Sequence, residues 1–413
     1  MIRKKKTFRI MTVNEHLVWT GLTRNHFPEK IDGANVEIVK VGIKDERTAT
    51  TDKGPSIAEL QPFLIYAACV HHESSPKELT DAQVESATYE YAERARAYAS
   101  WLWAEVQKSR PQLLLYSQGY ELQAFCLRWV AIRCGIPLLA IENTALKDRL
   151  LWDVMSGITV NQNLAKNIYW RWKDHLSTAE LVPFEARLLA TTRGLKSTEH
   201  QSPEGKAFKD EQGYVLFLGQ VYTDASVVFG LGEWRSPVEV LEALVSDCNA
   251  KGVKVFAKLH PKESQGVAPL TQRAYAQLTY RKIQTSSLLR AAIEEGQLLM
   301  DQENEYDTYA LMEGAVAAVT LTSQAGLEAV MRGVPTILGG EAFYGGLGFT
   351  FTCPRPSSMK GALDAVLATS PEECVQMKES ALRFAYCFYE KYCVAKSAEG
   401  VAAILATAVR TQP

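Results

Sequence analysis

Residues 113–141, LLLYSQGYELQAFCLRWVAIRCGIPLLAI, decide the fold class of this chain. Leu113–Tyr116 is short and apolar, as a buried strand is, and Pro137–Ile141 repeats that pattern. Between them, Glu121–Cys134 predicts a helix that ends at Gly135. A strand, a helix and a strand within about 30 residues form a βαβ unit, whose strands lie parallel in one sheet. The stretch therefore predicts an α/β fold.

The same alternation of strands and helices continues on both sides of this unit. Thr7–Val13 and Val36–Ile43 predict strands, and Asp81–Arg110 predicts a long amphipathic helix that Pro111 stops. The alternation starts again at Tyr214. The strands predicted in this second half are Tyr214–Leu218, Val253–Leu259, Ala315–Leu321 and Pro335–Leu338, with helices between them.

A polar stretch rich in helix breakers, residues 193–213, separates the two halves and predicts an interdomain linker. The chain has 413 residues, which is too long for one ordinary core. We therefore predict a Rossmann-like domain at 1–205 and a second at 206–374, with the closing helices at 375–413 packing back on the first. Ligands of open parallel sheets bind beyond the carboxyl ends of the strands, so two facing sheets predict a site in the interdomain cleft.

The composition excludes several classes of protein. A formal net charge of −2 gives no general attraction to nucleic acid, and no apolar run reaches the roughly 20 residues that span a bilayer. The eight cysteines include no CxxC pair and no zinc spacing, which predicts a reducing cytoplasm. The basic run from Arg3 to Lys6 predicts either a solvated terminus or a weak contact with an anionic membrane surface.

A histidine follows one of the predicted strands directly. Pro261 ends the strand Val253–Leu259 and holds His260 extended at the edge of the sheet. There the imidazole can donate a hydrogen bond to a phosphate oxygen or protonate a leaving phosphate, and Lys258 can add its charge. The alternative is that His260 only caps backbone groups.

A strand, a Ser/Thr turn and a helix follow at residues 317–329. Ser323, after Thr322, suits the N-cap of that helix, whose free N–H groups attract anions. Gly326 lacks a side chain and would let a phosphate approach, and Glu328 lies where a carboxylate meets ribose hydroxyls. Ordinary helix capping explains the same pattern.

A glycine-rich loop follows the strand Pro335–Leu338 and includes Tyr344, Gly345 and Gly346. Glycines allow positive φ and a close approach of the backbone to a ligand, although a flexible loop is the alternative. The G-x-x-x-x-G-K-[ST] pattern is missing, and no G-x-G-x-x-G follows the first strand. These absences argue against a Walker loop and against a dinucleotide oxidoreductase.

Two carboxylates follow predicted strands in different halves of the chain. Asp224 lies in the loop after Tyr214–Leu218, and Glu142 follows Leu138–Ile141. A carboxylate from each side of a cleft suits acid, base or nucleophilic chemistry on sugars. Helix capping and turn formation are the alternatives for each residue.

Taken together, these segments resemble the bacterial β-Kdo glycosyltransferases, which include the capsule polysaccharide biosynthesis proteins. The resemblance rests on the order and separation of three motifs, Gly219-Gln220-Val-x-x-Asp224-x-Ser226, Lys258-x-His260-Pro261 and Thr322-Ser323-x-x-Gly326-x-Glu328. The segments Ile141-Glu142-Asn143-Thr144 and Tyr344-x-x-Leu-Gly348 strengthen it. Together they cover about residues 140–350.

The resemblance implies a GT-B fold and retaining transfer from the donor CMP-β-Kdo to a glycan or lipid-linked glycan. The first domain would take the acceptor and the second would bind CMP. Asp224 would be the nucleophile, Glu142 a base or an acceptor contact, and Glu328 a ribose contact. The residues expected at the phosphate are Lys258, His260 and Ser323. The other residues expected to bind substrate are Gln220, Ser226, Pro261, Thr322, Gly326, Tyr344, Gly345 and Gly346. No DxD motif appears, which agrees with catalysis without a divalent metal, and no cofactor is expected.

Two alternatives remain at this stage. Another GT-B transferase, which uses CMP-sialic acid or a different nucleotide sugar, would need the same CMP-binding residues. A catalytically silent sugar-binding subunit of a polysaccharide assembly complex would not need Asp224. We expect a cytoplasmic protein, at most peripheral at the membrane, that acts alone or as one module of a larger glycosyltransferase.

Overall fold

The structure is a computed structural model that describes residues 6–42, 54–117, 121–154, 163–199, 205–265 and 277–410. Three residues of the basic run, 3–5, and five of the predicted linker, 200–204, lie outside these ranges. The strands are β1 Thr7–Val13, β2 Lys30–Ile31, β3 Ala34–Val41, β4 Leu113–Tyr116, β5 Leu138–Asn143, β6 Arg149–Asp153, β7 Tyr214–Leu218, β8 Lys254–Lys258, β9 Leu298–Asp301, β10 Ala315–Thr320, β11 Thr336–Leu338, β12 Phe351–Thr352 and β13 Val394–Ala395. The helices are α1 Asn14–Thr20, α2 Ile57–His71, α3 Asp81–Ser109, α4 Leu122–Cys134, α5 Asn163–Trp172, α6 Thr178–Glu199, α7 Ala225–Gly230, α8 Pro237–Asn249, α9 Pro261–Gln265, α10 Leu278–Thr285, α11 Ser287–Glu294, α12 Thr308–Gly314, α13 Gln324–Val330, α14 Met359–Leu367, α15 Pro371–Tyr386 and α16 Ala398–Arg410.

The chain divides into two compact units. The first unit comprises Met1–Ala68, Thr80–Gln162 and Tyr389–Pro413, and the second comprises Cys69–Leu79 and Asn163–Phe388. The short segment Cys69–Leu79 therefore belongs to the second unit, although the sequence on either side of it belongs to the first.

The first unit is built on a sheet whose described strands run in the order β13-β6-β5-β4-β1-β3-β2. The four strands β5, β4, β1 and β3 are parallel, and β6 and β13 extend the sheet in antiparallel fashion. Leu113 and Leu115 of β4 are fully buried and pack in one core cluster with Ile404 and Leu405 of α16. The end of the sequence thus completes a core that its beginning starts.

The second unit is built on a fully parallel sheet with the strand order β12-β11-β10-β7-β8-β9. Numbered from β7, this order is 3-2-1-4-5-6, the arrangement of a Rossmann fold. Strands β7 and β10 lie at the centre and are apolar along their length, because helices cover both faces of the sheet. The predicted α/β class with two Rossmann-like domains is confirmed.

The unit boundary differs from the predicted division at residue 205. Helix α6 continues to Glu199 through the first part of the predicted linker, and α5 and α6 pack against α15 within the second unit. Arg383 of α15 donates hydrogen bonds to the backbone oxygens of Lys173 (2.7 Å) and Leu176 (3.0 Å), and Lys378 pairs with Glu185. Of the two closing helices, α15 therefore belongs to the second unit and α16 to the first.

Within the described ranges, no helix combines the length and the apolar character that crossing a membrane requires.

A buried histidine follows the carboxyl end of β1 in the first unit. His16 on α1 is 7% exposed, and its Nδ1 has no hydrogen-bond partner among the described residues. Burial lowers the pKa of this imidazole from 6.5 to about 4, because the apolar surroundings penalise the charged form. His16 is therefore neutral at physiological pH.

We predict that His16 makes the protein acid-sensitive. Its folded-state pKa lies below the unfolded value, so unfolded chains bind the additional proton and stability falls as pH decreases from about 7 to 4. The loss from this residue should reach about 3 kcal/mol at pH 4. Urea unfolding at several pH values should show a flatter profile for His16→Met, whereas the exposed His175→Gln should follow the unmodified protein. Parallel profiles for His16→Met and the unmodified protein would contradict this assignment.

Candidate active site

The candidate site lies at the carboxyl ends of β7 and β10, where the strand order of the second sheet reverses. Chains that leave two such neighbouring strands turn to opposite faces of the sheet, and a crevice opens between them. Leu218 and Thr320 form the last pair in the β7–β10 register. Gln220 and Thr322 therefore lie at matched positions, two residues beyond each strand.

Four polar side chains connect the two strand ends. Gln220 Oε1 accepts a hydrogen bond from the Thr322 backbone N–H (2.7 Å), so the Gln220 amide nitrogen faces the Thr322 hydroxyl (3.0 Å). The Thr322 hydroxyl lies 2.9 Å from Ser226 Oγ, and Ser226 donates to Asp224 Oδ1 at 2.6 Å. Two longer contacts accompany these bonds, from the Thr322 hydroxyl to Gln220 Oε1 (3.3 Å) and from the Gln220 nitrogen to Ser226 Oγ (3.4 Å). Because Ser226 gives its proton to the carboxylate, the shorter Thr322–Ser226 bond has Thr322 as the donor. We call these four residues the hydroxyl chain.

Packing fixes the orientation of the Thr322 hydroxyl. The Thr322 methyl group lies against Gly230 and Gly340, where an added Cβ would stand 3.1 Å and 2.9 Å from it. A β-branched side chain has few χ1 choices, so placing the methyl group there points the hydroxyl at Gln220 and Ser226. The glycines are needed because side chains at either position would displace Thr322.

Asp224 is exposed and forms the N-cap of α7. Its Oδ1 accepts both the Ser226 backbone N–H (2.8 Å) and the Ser226 hydroxyl (2.6 Å). In the part of the chain that the structure describes, no donor reaches the other oxygen, Oδ2. The carboxylate is thus held by one oxygen and presents the second to solvent.

A buried tyrosine, which the sequence reasoning missed, anchors the loop that carries Asp224. Tyr222 is fully buried, its hydroxyl donates to Glu78 (2.7 Å), and its backbone N–H donates to Glu263 (3.0 Å). The Lys282 ammonium lies 5.4 Å from the Tyr222 ring centroid. Tyr222 is therefore fixed at both its backbone and its side chain, two residues before Asp224.

Glu263 is the second missed residue, and it ties three segments of the second unit together. It is 2% exposed and accepts hydrogen bonds from Tyr222 N, Thr279 N (2.9 Å) and Thr279 Oγ1 (2.8 Å). Burial raises the pKa of this carboxyl, whereas its hydrogen bonds act in the opposite direction. Its place three residues after His260 was the only sequence signal, because its partners Tyr222 and Thr279 lie 41 and 16 residues away in sequence.

His260 follows β8, as predicted, and is partly exposed. Its Nδ1 accepts the backbone N–H of Lys262 at 3.2 Å, so the neutral imidazole carries its proton on Nε2. Pro261 is the first residue of α9. His260 thus caps backbone through Nδ1, as the alternative reading proposed.

Lys258 has a different environment from the one that the sequence predicted. Its side chain is 4% exposed, and the ammonium contacts Asp301 Oδ2 (2.5 Å) and Asn304 Oδ1 (2.6 Å). Asp301 also accepts the backbone N–H groups of Glu305 and Tyr306. The lysine therefore neutralises a buried carboxylate that organises the turn after β9, instead of facing the crevice.

The turn after β10 has the predicted cap, but the reason for its glycine is different. Ser323 is the N-cap of α13 and accepts the Ala325 N–H (3.2 Å). A Cβ added at Gly326 would lie 2.3 Å from the hydroxyl oxygen of Tyr344, which donates to the Ser323 backbone oxygen. Tyr344 is fully buried, and burial raises the pKa of its hydroxyl. Gly326 thus makes room for Tyr344, and the prediction that it serves phosphate approach is not needed to explain it.

Glu328 lies inside the second unit, 4% exposed, where its carboxylate accepts the Tyr309 hydroxyl (2.9 Å). The Arg332 guanidinium lies over the Tyr309 ring, 3.7 Å from its centroid, and donates to the Glu328 backbone oxygen. Burial, and then the Glu328 charge, raise the pKa of Tyr309. A ribose contact by Glu328 stays a prediction, and this arrangement gives the residue a structural partner as well.

The glycine-rich loop packs beside the hydroxyl chain. The Glu341 N–H donates to the Gly230 backbone oxygen at 2.7 Å, which brings the start of the loop to the end of α7. Gly346 has φ +75°, as the glycine content predicted. At Gly345, by contrast, a Cβ would meet the Leu338 side chain at 3.1 Å, so packing explains this glycine.

Glu142 belongs to the first unit and lies within β5, where it pairs with Leu151 of β6. The sequence predicted that the strand ends at Ile141, but β5 continues to Asn143 because the antiparallel β6 adds hydrogen bonds there. Glu142 is partly exposed. Over the described ranges, no group of three His, Cys, Asp or Glu side chains is arranged to hold a metal ion, and metal-independent chemistry stays a prediction.

We predict that Gly326→Ala destabilises the second unit by about 1–3 kcal/mol, because the new methyl group overlaps the Tyr344 hydroxyl. The same change in a Tyr344→Phe background should cost less, since the hydroxyl is gone. Gly361→Ala on α14, where a Cβ meets nothing within 4 Å, is the matched control and should not destabilise. Thermal unfolding measures all four variants. A stable Gly326→Ala variant that no longer binds CMP would instead support the phosphate-approach explanation.

We also predict that Lys258→Met lowers the free energy of unfolding by about 3–5 kcal/mol, because it leaves Asp301 buried without its cation. Adding Asp301→Asn should restore part of that loss. Lys254→Met, on the same strand but paired with Asp210 at the surface, should change stability far less, because solvent screens that pair. Urea unfolding and CMP titration separate the two roles. Unchanged stability together with a large loss of CMP affinity would show that Lys258 serves the phosphate.

The part of the chain that carries the three motifs is similar to a known protein family. Residues 190–389 match the family model of the capsule polysaccharide biosynthesis proteins. No curated protein sequence matches the chain. Among solved structures, the Thermosulfurimonas dismutans KpsC β-Kdo 2,4 transferase is 20% identical, with a TM-score of 0.47 over 72% of this chain and 87% of that chain. The β-Kdo 2,7 transferase of the same KpsC is 17% identical, with a TM-score of 0.42 over 74% and 87%. The UDP-GlcNAc 2-epimerase from Neisseria meningitidis is 9% identical, with a TM-score of 0.39 over 98% and 99%.

The family model covers β7 to β11 and with them the three motifs that carry the resemblance. It also includes every residue of the hydroxyl chain. The family that the motifs predicted is thus confirmed for residues 190–389, which match the capsule polysaccharide biosynthesis proteins.

Proposed function

We propose that the chain is a glycosyltransferase of capsule or O-antigen synthesis that transfers Kdo from CMP-β-Kdo, with retention, through a covalent adduct on Asp224. The observation that carries this proposal is the Asp224 carboxylate itself. It is exposed at the switch point of a Rossmann sheet, held through Oδ1 and open at Oδ2. The family match of residues 190–389 supports a role in polysaccharide synthesis.

The first step forms one bond and breaks another. Asp224 Oδ2 attacks the anomeric carbon of Kdo, and the bond from that carbon to the phosphate oxygen breaks, with its electron pair leaving on CMP. The anomeric carbon of this 2-keto sugar carries a carboxylate and no hydrogen, so charge develops on the ring as the bond breaks. A fixed carboxylate stabilises that charge before it captures the sugar.

The second step returns the carboxylate. An acceptor hydroxyl attacks the same carbon, the ester bond to Asp224 breaks with its electron pair on the carboxylate, and the hydroxyl proton goes to a base. Two inversions give net retention. Glu142 remains the proposed base or acceptor contact. The acceptor is a glycan or a lipid-linked glycan.

His260 supports the departure of CMP. Its Nδ1 accepts the Lys262 N–H, and its Nε2–H would donate a hydrogen bond to the phosphate as negative charge builds there. Ser323 and the residues after it would contact the same phosphate. Lys258 has no direct part in this proposal, because its ammonium is engaged with Asp301.

Mass spectrometry of the intact protein tests the proposal. With CMP-Kdo generated in situ, we expect one Kdo residue on the unmodified protein and none on Asp224→Ala. Asp307→Ala is a matched control, because Asp307 caps α12 through backbone N–H groups as Asp224 caps α7, and it should keep the adduct. Both variants lose one N-cap, at about 1 kcal/mol each.

Parallel incubations separate the alternatives. An adduct and CMP release with CMP-sialic acid, and none with CMP-Kdo, would assign a different donor to the same site. Neither an adduct nor CMP release with any CMP-sugar, from a protein that still binds CMP, would support the silent sugar-binding subunit. An adduct that persists in Asp224→Ala would place the nucleophile elsewhere.

A further inference from the structure

We propose that Ser226 and Thr322 are positioning residues that set the orientation of the Asp224 carboxylate for attack, through the one-way hydroxyl chain that starts at Gln220. The inference rests on the proposed function, because it assigns these residues a role in forming the adduct. Neither residue would touch the transferred sugar.

The direction of hydrogen-bond donation along the hydroxyl chain follows from the residues at its two ends, Gln220 and Asp224. The Gln220 amide cannot rotate freely, because its Oε1 accepts the Thr322 N–H at 2.7 Å. Its NH₂ group therefore donates to the Thr322 hydroxyl at 3.0 Å and lies 3.4 Å from Ser226 Oγ. Of the two acceptors near the Thr322 hydroxyl, Ser226 Oγ at 2.9 Å is closer than Gln220 Oε1 at 3.3 Å, so Thr322 donates to Ser226. Ser226 accepts from this side and gives its proton to Asp224 Oδ1. Hydrogen bonds in such a series polarise one another, so the last one to the carboxylate is strengthened.

The hydroxyl chain distinguishes the two oxygens of the Asp224 carboxylate. Oδ1 receives two donors from Ser226, its backbone N–H and its hydroxyl, and this leaves Oδ2 as the oxygen with an open lone pair. Without the hydroxyl, the carboxylate keeps only the backbone N–H and can rotate about χ2. The Ser226 hydroxyl is thus needed for orientation and is not needed for the cap itself.

The tertiary setting favours this role over a merely structural one. Thr322 is 7% exposed, and its methyl group is held by Gly230 and Gly340, so packing within the second unit holds its hydroxyl in place. On the other side of Asp224, Tyr222 fixes the backbone through Glu263 and Glu78. With the backbone fixed, the carboxylate torsion is the freedom that remains, and the hydroxyl chain controls it.

Adduct formation at saturating CMP-Kdo, followed by rapid quench and intact mass, tests the proposal. We expect Ser226→Ala to lower the rate constant by about 100-fold, because small misplacements of a reacting group have effects of this size. Thr322→Val keeps the shape and removes the hydroxyl, and we expect a loss of about tenfold, the effect of one hydrogen bond. CMP affinity and the unfolding temperature should change little in both variants.

The double variant gives the sharpest result. If Thr322 acts through Ser226, then Ser226→Ala/Thr322→Val should form the adduct no more slowly than Ser226→Ala alone. The single variant already lacks the Ser226 hydroxyl through which Thr322 would act on Asp224. Thr336→Val is the matched control. Thr336 is also buried, and its hydroxyl donates to the Val334 backbone oxygen, which is not part of the hydroxyl chain. It should form the adduct at the rate of the unmodified protein.

Three results would overturn the inference. Ser226→Ala could form the adduct as fast as the unmodified protein, the two single effects could multiply in the double variant, or the rate loss could accompany an equal loss of CMP affinity. No adduct on the unmodified protein is a separate outcome. It would contradict the proposed function, and the positioning role would fall with it.

Discussion

The hydrogen bonds between the Gln220 side chain and Thr322 join the carboxyl ends of β7 and β10, and the candidate site is assembled around them. The two strands are neighbours in the sheet, yet the loops that follow them lead to opposite faces. Something must therefore hold the two loop starts together. The Gln220 side-chain amide does so, because its oxygen accepts the Thr322 backbone N–H and its nitrogen donates to the Thr322 hydroxyl. Because the orientation of this amide is fixed, the Thr322 hydroxyl donates to Ser226 and the Ser226 hydroxyl donates to Asp224.

Buried polar contacts around this centre act as supports for the exposed groups. The Glu263 carboxylate holds Tyr222, and the Lys258–Asp301 pair holds the turn after β9 beside β8, the strand that precedes His260. Buried polar groups of this kind are costly to desolvate, and hydrogen bonds to each of them offset that cost. Asp224, which is exposed, and His260, which is partly exposed, thus lie on segments whose backbones have little freedom. Preorganisation of this type is what stabilises charge that develops during a reaction.

Segments remote in sequence complete both units. Cys69–Leu79 leaves the first unit and supplies Glu78 to Tyr222, while α16 returns from the end of the sequence to the core of the first unit. The sequence near these segments does not indicate either arrangement, because a contact with a residue more than 100 positions away produces no periodic pattern in the local sequence. The same reason explains the misplaced linker. Residues 193–199 are polar, yet they continue α6, whose apolar positions pack against α15.

The sequence alone determined the α/β class, the central strands within one or two residues, and the motif order that indicated the family. These are consequences of local periodicity, of turn residues and of spacing along the chain. Only the tertiary structure decided which motif residues face the site. Lys258 lies two residues before His260, but burial beside Asp301 removes its ammonium from the crevice, and Gly326 serves Tyr344. The side-chain environment of a residue depends on what the other strands and helices bring to it, and that information lies in the packing of distant segments.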